Sequence, residues 1–443
     1  MATTRIEFIL TRFFRKLWVR AASFAVLGVA IVPLARLIGP LIPPDLVALT
    51  GAGAVQGILN ILASSMLAVT TFSLSIMVSA YSSAAAAVTP RVVTLLMQDR
   101  TSQTVLSTFI GAFLFGLVGI IGIEAQAFSQ SGLLVLFLTT IVVIALVVVA
   151  LIRWISHLTS FGRLADSSRR VEEATVHALS TRARFPALGG VPAPAGHDGG
   201  APAGHRALCA PATGYLQHID MPQLDACAKA LVPGQGQKGE FDGAGPVLHV
   251  ACLPGSFVHP AKPLVWVPAS LPEADEAAIL QAFSVGDERS FDQDPRFGLC
   301  VLCEIAERAL SPAVNDPGTA IDILGRSVRI LAHWLERKPV AVEYPRVSVP
   351  ALRIDDLFDD IFPAIARDGA GVFSVQLRLQ KSLLALARLS PADFGPGALH
   401  QSERALHAAG QASLPPEETA QLEAVAKDIR SLAHDTGRGP RVL

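Results

Sequence analysis

The sequence predicts a mostly α-helical protein: a four-helix transmembrane domain followed by a cytosolic α-helical domain with a small β-rich, barrel-sandwich-like module. Three observations predict it. First, charge is distributed unevenly along the 443 residues. Between Ala21 and Ile152 only Arg36, Asp45, Arg91, Asp99, Arg100 and Glu124 are charged, whereas the remainder to Leu443 holds 28 basic and 33 acidic residues. A water-facing surface needs charged side chains, so the first third cannot be an ordinary soluble domain. Second, that third breaks into four apolar runs of about the length a bilayer requires. Third, the rest shows helical periodicity interrupted by one β-like stretch. A single soluble enzyme and a strongly basic nucleic-acid binder are both excluded.

The expected spans are about 21–42, 55–81, 104–123 and 133–152, within a transmembrane domain of residues 1–157. Basic residues set the orientation. Arg5, Arg12, Arg15, Lys16 and Arg20 precede the first span, Arg91 and Arg100 separate the second from the third, and Arg153, Arg163, Arg169 and Arg170 follow the fourth. The other two loops carry no Lys or Arg. Both termini are therefore expected in the cytoplasm.

The second span carries Ser64, Ala68, Thr71, Ser75, Ser79 and Ser82 at steps of three and four, so they share one helical face. Close helix packing explains such a face. A lining for a polar conduit, with Ser75 and Ser79 among its residues, is the sharper reading. The third span has a small-residue stripe, Ala112, Gly116, Gly119 and Gly122, that reads as packing. Between these spans, Thr89 to Arg100 reads as a short amphipathic helix opened by Pro90. Arg91, Asp99 and Arg100 either mark the inner face or form a charged collar at a pore mouth.

A connecting helix is expected at 158–185, continuing the fourth span as a polar helix, and a Pro/Gly-rich linker at 186–204, where ten of 19 residues are Gly or Pro. A β-rich module is expected at 205–270, with strands at Gly214–Ile219, Val247–Cys252 and Pro263–Val267 and a turn at Pro254-Gly255. That turn weakly resembles one in biotinyl/lipoyl carrier modules, but no Lys stands there in the context a carrier needs. The helical domain is expected at 271–443. Ser270 with Glu273 suggests a capping box. Asp294-Pro295 and Asp316-Pro317 each read as an N-cap followed by Pro at the first helical position. The intervening turn makes a helical hairpin. Its residues Ser311, Asn315, Asp316 and Thr319, with Glu304 and Arg308 nearby, are the densest polar constellation. They read as helix caps, or alternatively as a ligand or partner site.

Catalytic chemistry finds no foothold. There is no Walker loop, GxGxxG, HExxH or GxSxG. Cys300 and Cys303 form a lone CxxC inside a helix, and zinc would need a second pair. His218, His249 and His259 show no ligand spacing. No catalytic residue, cofactor, metal or nucleic acid is therefore expected. The expected partners are the lipid bilayer, further copies of the chain, and a cytosolic protein or small ligand. Function narrows to an oligomeric membrane conduit or gate with a cytosolic regulatory domain, or alternatively a membrane-anchored binding scaffold or sensor.

Three stretches together resemble a known family. They are Thr89-Pro90-Arg91 with Asp99-Arg100, Gln103 and Leu106-Ser107-Thr108-Phe109; Trp154-Ile155-Ser156-His157-Leu158; and Gln293-Asp294-Pro295-Arg296-Phe297-Gly298-Leu299 running into Ala309-Leu310-Ser311-Pro312-Ala313-Val314-Asn315-Asp316-Pro317. The resemblance is to the bacterial membrane proteins called domain of unknown function 2254. Ser156 departs from the family pattern, which tends to His there, as do Thr89 (Ser) and Ser107 (Gly). The resemblance implies a four-span protein with a cytosolic domain, and no established activity.

Overall fold

The computed structural model describes residues 51–97, 99–159, 162–194, 201–231, 246–336 and 341–435, together with Ala22, Val26, Val29, Ala30 and Pro33. The chain divides into two compact units, one within residues 6–167 and the other mainly 168–443.

In the first unit, α1 (Ala52–Ala87), α2 (Pro90–Met97), α3 (Arg100–Glu124) and α4 (Gln130–Leu158) follow one another. Among the described residues three helices, α1, α3 and α4, are long and apolar enough to cross a membrane. The expected first span, 21–42, falls outside the described residues save for the five named above. With 36 residues, α1 is roughly 54 Å long, well beyond the ~30 Å hydrocarbon core. It runs antiparallel to α3. A Cβ on Gly116 would stand 3.1 Å from Ala63 Cβ and 3.3 Å from the Leu59 carbonyl, while one on Gly119 would strike the Leu59 side chain. The glycine stripe of α3 is thus a close-approach seam, the packing role its sequence suggests. At one end of this pair, Gln56 Nε2 donates to Glu124 Oε1 at 2.6 Å.

The second unit begins within α5 (Leu164–Arg184). The expected continuous extension of the fourth span does not form. Leu158 ends α4, and Gly162 stands at φ +76°, a left-handed conformation that Gly adopts at no steric cost. α5 is a separate amphipathic helix.

Two sheets follow. The first has the order β1-β8-β4-β6-β2, built from Gly190–Pro192 (β1), His205–Cys209 (β2), Leu248–Val250 (β4), Pro263–Pro268 (β6) and Tyr344–Val349 (β8). The second has the order β5-β3-β7, from Gly214–Ile219 (β3), Phe257–Val258 (β5) and Phe283–Gly286 (β7). Three of these strands lie outside the 205–270 stretch that reads as β-rich in sequence. β1 comes from the Pro/Gly stretch, and β7 and β8 come from the stretch read as helical. The pairs β1/β8 and β8/β4 are parallel, so their partners are distant in sequence and local patterning cannot reveal them. Helix α6 (Met221–Ala230) covers the sheets, and Leu216, Ile219, Leu224, Leu248, Val265, Val267 and Val347 are fully buried in the shared core.

The rest is helical: α7 (Glu273–Leu280), α8 (Pro295–Leu310), α9 (Pro317–Ala332) with a 3₁₀ turn to Glu336, α10 (Ile354–Asp368), α11 (Phe373–Leu389), α12 (Pro391–Gln411) and α13 (Pro416–Asp435). Asp294, Asp316 and Ser390 cap α8, α9 and α12, each followed by Pro in the first turn. The capping box at Ser270 does not form. Pro272, in extended backbone, precedes α7 instead and no side chain caps it. Phe358, Phe362 and Phe394 form the aromatic centre of the bundle, with ring centroids 5.3 and 6.0 Å apart.

Candidate functional site

Three places bring sequence-selected residues together. The first is at one end of the membrane unit. Asp99 caps α3: its Oδ2 accepts from the Ser102 N–H at 2.7 Å and from Ser102 Oγ at 2.8 Å. His157, in the last turn of α4, brings Nε2 to 3.1 Å from the same oxygen and 3.2 Å from Ser102 Oγ. A carboxylate only accepts, so Nε2 carries the proton. Both side chains are about one-tenth exposed, which strengthens the tie relative to a surface pair. The chain thereby joins two stretches that lie 55 residues apart. Arg91 and Arg100 both have exposed side chains, and Arg100 follows Asp99 directly in the chain. A catalytic triad would put Ser and Asp on opposite ring nitrogens. Here both meet Nε2, so the arrangement differs from a triad, and the contacts tie the start of α3 to the last turn of α4.

The second place is the face of α1. Ser64, Ala68, Thr71, Ser75, Ser79 and Ser82 are all exposed. They lie opposite the buried row Val55, Leu59, Leu62, Met66, Ser73 and Met77 that faces α3. Large apolar residues, Ile61 and Phe72 on one side and Leu67, Leu74 and Val78 on the other, flank the stripe. Ser64, Thr71 and Ser75 donate to carbonyls one turn back, so these hydroxyls cost little in an apolar setting. The exposed face of α4 is different: Leu138, Ile141, Val142, Leu146, Val149 and Ile152 are large and apolar, as lipid contact requires.

The third place is the hairpin between α8 and α9. Ser311 Oγ donates to the Arg308 carbonyl at 2.6 Å. Asn315 takes φ +49°, which Asn tolerates, and its N–H donates to the Ser311 carbonyl. Asp316 caps α9 through the Thr319 N–H and Oγ1, and these bonds hold its carboxyl below the ordinary range. The Asp316 N–H closes the hairpin on the Ala309 carbonyl at 2.7 Å. The Ser311 hydroxyl and the Asp316 carboxylate thus each serve an orphaned helix end.

Near the other end of α8 is a junction of which the sequence signals only the Asp294 cap. Gln293 clamps Ile219, accepting from its N–H at 3.0 Å and donating to its carbonyl at 3.3 Å. Asp294 is 2% exposed, accepts from Phe297 N–H and pairs with Arg289 at 2.7 Å. Burial pushes its carboxyl up, and Arg289 works against that. Gly255 sits against the same carboxylate, where any Cβ would collide with it. The turn resembling a carrier module is therefore docked on the α8 cap. Gly298 admits Thr175 of α5 where a Cβ would overlap it. Arg182, 3% exposed on α5, is pushed down to about 10 by burial, and Asp294 partly offsets this. These contacts explain why Gln, Asp, Arg and Gly stand together at 293–298. Arg296 completes the junction with bonds to Asp360 at 2.7 Å and Asp356 at 3.2 Å.

An open groove of about 650 Å³ lies between α5 and α9, lined by Arg169, Glu173, His177 and Arg329 among others. Glu172 bonds both Arg326 (2.6 Å) and Arg329 (2.7 Å), and Asp322 bonds Arg326, so its charges are largely satisfied internally. The CxxC thiols are quiescent. Burial raises Cys300 and Cys303, and raises Cys252 to about 11, so none is a ready thiolate. Among the described residues no group of three or more His, Cys, Asp or Glu is placed to hold a metal ion.

The model of the family described as "Predicted membrane protein (DUF2254)" matches residues 15–385. The chain belongs to this family. The three long apolar helices among the described residues agree with that description. Uncharacterized proteins of Mycobacterium bovis and Mycobacterium tuberculosis are each 35% identical to it over 120 residues, 26% of this chain and 21% of theirs. The matched region thus covers about a fifth of those relatives' length. No solved structure matches the chain.

Proposed function

We propose that this DUF2254 protein is a homo-oligomeric membrane conduit, with the small hydroxyl face of α1 lining the path and the second unit acting as its cytosolic regulator. One observation carries the reading. In the same unit α4 exposes large apolar side chains, whereas α1, opposite its α3 seam, exposes Ser64, Thr71, Ser75, Ser79 and Ser82. Small hydroxyl side chains suit a wetted, protein-lined path better than acyl chains. Three spanning helices, or four with the expected first span, are few to enclose a path, which motivates several copies. The proposed orientation has both termini in the cytoplasm, following the basic residues around the spans.

Flux through liposomes containing the purified protein tests this. Wild type should release a trapped ion or small solute faster than empty liposomes, and Ser75→Leu with Ser79→Leu should cut that rate about tenfold by filling the path with apolar bulk. Flux never exceeding that of empty liposomes removes the conduit and leaves a membrane-anchored binding scaffold, whose second unit would then carry the function.

A further inference from the structure

The β sheet brings together two histidines that lie 44 positions apart. His205 opens β2 and His249 is the middle residue of β4. Both strands flank β6: His205 is opposite Pro268 and His249 is opposite Trp266. The two imidazoles reach across β6, and their ring centroids are 4.9 Å apart with the planes at 86°. His205 Nδ1 lies 3.1 Å from the Ala203 carbonyl. A carbonyl only accepts, so Nδ1–H donates and Nε2 of the neutral ring carries the lone pair. That Nε2 is buried and has no hydrogen-bond partner among the described residues.

We propose that His205 and His249 form a two-histidine site for a late first-row divalent cation such as Zn2+, Ni2+ or Cu2+. Three features support it. A metal-binding histidine usually donates its second ring nitrogen to a carbonyl or carboxylate, which fixes the tautomer, and Ala203 does this for His205. A buried imidazole nitrogen without a partner is costly, and a cation would satisfy it. Two imidazoles bound at ~2.0–2.1 Å to one tetrahedral ion hold their ring centres roughly 5 Å apart, and the observed separation is 4.9 Å. No third protein ligand from His, Cys, Asp or Glu joins them among the described residues, so water takes the remaining positions. Imidazole ligation selects the later transition metals and excludes Mg2+ and Ca2+, which prefer oxygen ligands. The site is independent of the proposed conduit, because neither histidine lies in the membrane unit.

Titration calorimetry on the tag-free full chain in detergent tests the site with Zn2+, Ni2+ and Cu2+, and with Mg2+ as control. Wild type should bind one Zn2+ per chain saturably and no Mg2+. His205→Gln and His249→Gln should each weaken Zn2+ binding about tenfold or more. Absence of saturable binding in wild type, or wild-type affinity in either variant, overturns the proposal. Thermal melting guards against a variant that fails to fold. Zn2+ should raise the melting point of the wild-type chain, as any ligand of the native state does, and no rise overturns the proposal as well.

Discussion

Asp99 carries two duties that the sequence shows separately. Its place before Arg100 marks it as a helix cap, and only the fold reveals His157 at 3.1 Å. The two duties separate by mutation. Asp99→Ala removes the cap and the tie, and should destabilise the membrane unit by about 2 kcal/mol. Asp99→Asn keeps an accepting oxygen for Ser102 and should cost about half as much. Thermal melts in detergent compare them, with His157→Ala as the third corner. Equal losses for Asn and Ala would assign the stabilisation to the charge rather than to the cap. The residues of the α8–α9 turn were equally legible. Asp316-Pro317 announces a cap in any sequence, and the structure finds Ser311, Asn315 and Asp316 bonded within the turn. Arg182 left no signal, because one more arginine on an amphipathic helix that also carries Arg169, Arg170 and Arg184 looks like a surface residue.

At the scale of elements, α5 is held to α9 by one carboxylate. Glu172 bonds Arg326 and Arg329, with its side chain 14% exposed. Burial pushes Glu172 up, but the hydrogen bonds and charges of Arg329 and Arg326 together outweigh this and leave its carboxyl below the ordinary range. A group lowered in the folded state contributes stability above its unfolded pKa and loses it as pH falls through the folded value. Glu172→Gln should therefore lower the melting point at pH 7, and its gap from wild type should narrow as pH drops below about 4. A gap that stays constant between pH 7 and pH 3 would show that the ion pairs contribute nothing there. The sequence located most of these helices from caps and periodicity. It missed β1, β7 and β8 because a strand's partner, rather than its own pattern, makes a short segment extended. It also ran α4 into α5, although Gly162 stands between them as a residue suited to a break.

At the scale of the whole molecule, the second unit depends on its first thirty residues. Thr175 on α5 fills the space left by Gly298, and β1 pairs with β8. A fragment of residues 164–443 should therefore melt cooperatively, whereas 205–443 should not, since it loses α5 and an edge strand together. Circular dichroism melts of the two fragments check this, and an equally cooperative transition in 205–443 would show that α5 is dispensable. The Pro/Gly-rich stretch at 186–204 thus begins as part of the fold, at Gly190–Pro192, whatever its composition suggests.

The family, the apolar first third, the helix starts at Asp-Pro pairs and the small-residue seam of α3 are all legible in the order of the residues. These are local properties: the length of an apolar run, the identity of a cap and the spacing of side chains on one helix follow from neighbouring residues alone. Tertiary structure decided which strands pair, which charges meet and which histidines face each other. Asp99 with His157, Glu172 with Arg326 and His205 with His249 are separated by 44 to 154 positions in the chain. Such partners are chosen by the global packing of apolar faces, which fixes where each polar side chain must find its match.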